Sequence, residues 1–73
     1  MFVTVSFRDE DHVGDEVEVE CTDIALDLGQ ALIDHFEDDY GREIDTDGSD
    51  FWYTDEDGRQ VIVAHGVEVI ETR

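Results

Sequence analysis

Lysine and proline are absent from this chain, and cysteine, methionine and tryptophan occur once each. Against 22 aspartates and glutamates stand only Arg8, Arg42, Arg59 and Arg73, giving a formal charge of −18 over 73 residues. Each shortage excludes something. Four scattered arginines make no basic face, so no nucleic-acid partner is expected, because affinity for a phosphate backbone comes from neutralising phosphates. A single cysteine, Cys21, cannot close an internal disulfide, and no Cys/His cluster has the spacing of a structural zinc site. No apolar run approaches the roughly 20 residues of a membrane span, and the N-terminus shows neither the basic lead nor the apolar core of a secretory leader. The expectation is a cytoplasmic protein with no membrane partner and no cofactor.

The length fits one domain, residues 1–73. A chain this short buries only about 60% of the surface that its unfolded form exposes. Without a disulfide or metal as a staple, high salt and self-association remain as supports. The acid is spread along the whole chain and sits on well-patterned segments such as Glu16-Val17-Glu18-Val19-Glu20. This composition resembles that of proteins from salt-in halophilic archaea. The resemblance implies a solvent of molar KCl that screens self-repulsion, with monovalent cations held nonspecifically by surface carboxylates.

Hydropathy alternates over residues 2–8, with Val3, Val5 and Phe7 on one face and Phe2, Thr4 and Ser6 on the other. It alternates again over 16–21, where Val17, Val19 and Cys21 oppose Glu16, Glu18 and Glu20. A hairpin setting Phe7 by Val17, Val5 by Val19 and Val3 by Cys21 aligns the two apolar faces and places Arg8 opposite Glu16. Residues 9–15 then form its polar connection. Thr22 and Asp23 are N-cap residues ahead of Ile24, Ala25, Leu28, Leu32, Phe36 and Tyr40 at helical spacing, and Gly41 suits a left-handed C-cap. One helix near residues 23–40 follows.

Residues 42–49 read as a loop with at most an isolated bridge at Glu43–Ile44. Three further strands are expected at 51–53, 61–63 and 67–70, joined by glycine-ended loops at 56–58 and 64–66. In that register Tyr53 opposes Val61, Phe51 opposes Val63, Val63 opposes Val67 and Val61 opposes Val69. The sum is an α+β two-layer ββαβββ domain, one helix packed on a mainly antiparallel sheet. Its element order resembles the β-grasp arrangement of ubiquitin-like proteins. That resemblance implies a mixed sheet, with the first and last long strands parallel at its centre. Those modifiers end in Gly-Gly, whereas this chain ends Val69-Ile70-Glu71-Thr72-Arg73, so a non-conjugating role is the form that the resemblance takes.

Motif reading offers little chemistry. The clusters in 43–50 and 55–58 invite comparison with a calcium loop, but a loop starting at Glu43 meets Thr54 at position 12, and the second meets Ala64. His12, His35 and His65 fall in a loop, a helix and a turn, with no ligand spacing between them. Cys21 shares the inward parity of its strand and reads as a small buried hydrophobe. No catalytic, metal or cofactor residue is assigned. The aromatic run Phe51-Trp52-Tyr53 is different: with Phe51 and Tyr53 inward, Trp52 must point outward beside Ile62. Ile70 and Phe2 share that parity, and glutamates rim the patch. A protein-binding or assembly domain working through Trp52, Ile62, Ile70 and Phe2, most simply as a homodimer, is therefore the leading expectation. The alternative is a small-ligand protein or enzyme, with a pocket near the 42–50 loop that holds His35 or His12 beside a carboxylate.

Overall fold

The computed structural model describes residues 1–8 and 13–73. Its elements are β1 (Phe2–Arg8), β2 (Val13–Glu20), α1 (Ile24–Tyr40), β3 (Asp45–Asp47), β4 (Asp50–Thr54) and β5 (Gln60–Thr72). The ββαβββ order is the one read from the sequence, with one helix on a five-stranded sheet. The strands lie in the order β2-β1-β5-β4-β3, and every neighbouring pair is antiparallel. β1 and β5 adjoin at the centre but run antiparallel, so the parallel central pair of a β-grasp sheet is not formed.

Two of the last three strands differ from those expected. Residues 61–63 and 67–70 belong to one 13-residue strand, and the third strand is the short β3. The 64–66 hairpin does not exist, nor do its Val63–Val67 and Val61–Val69 pairs. Gly66 has the left-handed φ of 64° that a turn would need, but spends it on a bulge opposite Phe7. β5 thus changes partner halfway. Its first part pairs with β4, setting Trp52 against Ile62 and Tyr53 against Val61, as the sequence implied. A second bulge puts Phe51 opposite Ala64 instead of Val63. Its last part pairs with β1, from Arg8–His65 to Val3–Thr72. The sheet is consequently staggered, and the molecule measures 40 × 22 × 19 Å.

The first hairpin slips by two residues from the expected register. Val3 opposes Val19, Val5 opposes Val17, and Ser6, not Arg8, opposes Glu16. A two-residue slip keeps every side chain on its own face, so hydrophobic alternation cannot choose between the registers. Gly14, with φ 82°, absorbs one residue in a bulge, and Arg8 then faces Val13. Of the expected 9–15 connection, residues 9–12 lie outside the described residues.

The helix begins where its cap dictates. The Asp23 carboxylate accepts from the N–H groups of Ala25 (2.8 Å) and Leu26 (3.2 Å), and Gly41 closes the helix in the left-handed region at φ 66°. Asp23→Ala is expected to cost about 1 kcal/mol, read as a lower midpoint in chemical denaturation. The helix buries Leu28, Leu32 and Phe36 against Val3, Val5, Phe7, Val19, Phe51, Val63 and Ala64. Phe36 sits at the centre, with ring centroids 5.5 Å from both Phe7 and Phe51. Cys21 is buried, and so is Ile44, which the sequence reading left in a loop.

Candidate docking surface

The helix covers one face of the sheet. Among the described residues no element covers the other, which carries Thr4, Ser6, Glu16, Glu18, Glu20, Trp52, Ile62, Glu68 and Glu71. Trp52 and Ile62 face each other across β4 and β5 there, both half-buried, with Asp45 of β3 on the far side of Trp52. The other two candidates do not join them. Ile70 lies eight residues further along β5 than Ile62, about 26 Å at the rise of an extended strand. Phe2 pairs with Glu20 on one side and exchanges both backbone hydrogen bonds with Arg73 on the other (2.6 and 2.7 Å). The four residues fall into two separate pairs because the expected 64–66 hairpin, which would have folded Ile70 back beside Ile62, is a bulged continuous strand.

Larger apolar exposure collects where Phe2 and Ile70 are. Of the exposed large hydrophobics, Met1, Phe2, Ile24, Leu26, Val69 and Ile70 occupy one end of the molecule, with 37% to 79% of each accessible; Tyr40 lies at the other end. Three links define this end. The Met1 ammonium donates to the Cys21 carbonyl (2.9 Å), the Cys21 N–H donates to the Met1 carbonyl (3.0 Å), and the helix starts three residues later. Sequence reasoning missed the cluster because it needs β1 beside β5. Glutamates border it: Arg73 pairs with Glu18, and its Nε lies 3.7 Å from Glu71.

Asp50 and Asp55, from the clusters that invited a calcium reading, serve the backbone, as does Glu37 on the helix. The Asp55 carboxylate accepts from the N–H groups of Asp57 and Arg59 (both 2.9 Å), fastening the 55–59 turn whose Gly58 has φ 82°. Asp50 accepts from Gly66 N–H (3.3 Å), and Glu37 accepts from Ile44 N–H (3.2 Å). No group of three metal-ligating side chains occurs among the described residues.

Described residues line two clefts of about 420 Å³ each. One, beside the 42–50 loop, is lined by Arg42, Glu43, Asp45 and Thr54, and the Arg42 guanidinium lies 4.9 Å from the Tyr53 ring centre. It does not contain His35, which is half-buried on the helix with its ring 5.4 Å from Phe36. The other joins Ser6, Arg8, His65 and Glu68 over the Gly66 bulge. His12 lies outside the described residues. No described helix is long and apolar enough to cross a membrane. Comparison with protein-family models, curated proteins and solved structures found no match, so the functional reading rests on the geometry.

Proposed function

We propose that this chain is a small, non-catalytic protein-docking domain suited to high salt, and that it receives its partner at the apolar end of the sheet. The observation that carries this is the segregation of exposed apolar side chains. Scattered single hydrophobics are ordinary on any surface, but six exposed large ones gathered at one end, beside Glu18, Glu71 and Arg73, have the composition of an interface. The core beneath is closed, with no buried side-chain polar atom left without a partner among the described residues. The helix-free face continues from this end and carries the Trp52–Ile62 pair at its distant end.

Residues held for docking can be removed without harming the fold. Phe2→Ser and Ile70→Ser are each expected to change unfolding free energy in about 2 M KCl by no more than about 0.5 kcal/mol. A loss above about 2 kcal/mol would show that these side chains serve the core, and would withdraw the surface. Trp52→Ser should cost more than either, because Trp52 is half-buried against Ile62.

A further inference from the structure

Besides residues 60–64 of β5, whose side away from β4 also has no described strand, the sheet has three stretches of strand edge among the described residues, and two carry their own protection. β2 presents Asp15, Glu16, Glu18 and Glu20, while β3 is three residues long and reads Asp-Thr-Asp. Short edges and charged edges are the usual defences against pairing with another chain. The third edge belongs to the last part of β5. There β1 lies on one side, while the β3–β4 hairpin on the other side ends at Ser49, whose carbonyl accepts from Val67 N–H (3.2 Å). From Glu68 to Thr72 no described strand lies alongside.

The peptide groups on this edge are oriented to receive one. Phe2 and Arg73 exchange both of their hydrogen bonds. By the alternation of an antiparallel ladder, the Thr72 groups therefore point away from β1. Val67 N–H already points that way, and alternation carries the same direction to Val69. The side chains add a two-sided pattern. Val69 opposes buried Val5 on the helix side yet stays half exposed, and Ile70 is the bulged residue beside it. Glu68 and Glu71 oppose Ser6 and Thr4 on the helix-free side.

We propose that the β5 edge from Glu68 to Thr72 takes up an extended segment of another protein as an added strand, with lysine or arginine on its helix-free side and apolar residues on the other. This rests on the docking reading and names the partner's chemistry. Charge decides against a second copy of this chain. A second copy would bring its own charge of −18 to an edge that already carries Glu68 and Glu71. A basic, apolar-alternating strand meets the same edge with opposite charge and satisfies its free backbone groups, the mode of β-strand addition.

The test is titration of the full chain, in about 1 M KCl, with a short labelled peptide alternating valine and lysine. A copy of that peptide N-methylated at every backbone amide has the same charge but offers no strand donor on either edge and cannot pair. The wild type should bind the plain peptide at least about tenfold more tightly, with slower hydrogen exchange at the Val69 and Thr72 amides. Thr72→Pro removes an edge donor without changing charge and should abolish that preference; Ile70→Lys should do the same should the proline variant fail to fold. Equal binding of both peptides, or a preference surviving both substitutions, would reduce the interaction to charge attraction and overturn the proposal. No binding would also overturn it. A doubled mass without peptide that falls to one chain in Thr72→Pro would give the edge to a second copy and overturn the proposal, whereas failure of the docking reading appears separately as lost stability in Phe2→Ser and Ile70→Ser.

Discussion

Phe36→Ala is expected to remove most of this domain's stability. Its ring is 2% exposed and meets Phe7 edge-on, at an interplanar angle of 88°, while touching Phe51 on the other side. The three rings join the helix to β1 and to β4, which lie on opposite sides of β5. Deleting a buried phenylalanine costs about 3–5 kcal/mol, against a total of about 4–11 kcal/mol for a chain of this length. The variant should lose near-ultraviolet dichroism and cooperative unfolding in dilute salt, and melt well below the wild type in about 2 M KCl. Leu26→Ala, on the same helix but 79% exposed, should change little. A Phe36→Ala loss under about 1 kcal/mol would mean that the aromatic cluster is not the core of the fold.

Lowering salt should have the next largest effect. Eighteen net negative charges on so small a body repel across distances that molar KCl screens and dilute buffer does not, the Debye length rising from about 3 Å at 1 M to about 10 Å at 0.1 M. Among the described residues the ion pairs that offset this, Arg59–Asp57 and the Arg73 contacts to Glu18 and Glu71, are all exposed. Going from about 2 M to about 0.1 M KCl should destabilise the domain by on the order of 2 kcal/mol, or about 8–16 °C in Tm. Sucrose strengthens burial without screening, so it should restore little of the loss. An unchanged Tm across that range would show that burial alone sustains the fold.

The parts of this fold legible in the sequence are those set by local periodicity. Alternation in residues 2–8, the Asp23 and Gly41 caps and the 55–59 turn each have one cheap local solution, and the structure adopts it. Trp52 opposite Ile62 follows from the same turn. The parts not legible are those where a local signal has two meanings. Gly66 supplies a left-handed residue that serves a hairpin or a bulge equally well, and only the pairing of β5 with β1 selects the bulge. Gly14 likewise admits a slip that alternation does not register. Ile44 looks like a loop residue until β3 pairs with β4 and its flanking segment is drawn under the helix end. The candidate surface divided for the same reason: Phe2 and Ile70 become neighbours of one end through the β1–β5 contact, between residues nearly the whole chain apart.

The most direct test of the docking account is the light-scattering mass of the wild type after gel filtration in about 2 M KCl, with Ile70→Ser and Trp52→Ser run beside it. An apolar end open to a different protein predicts a mass near the 8.3 kDa of one chain for all three. A wild-type mass of twice that, falling to one chain in Ile70→Ser, would contradict the account and make that end the seam of a homodimer.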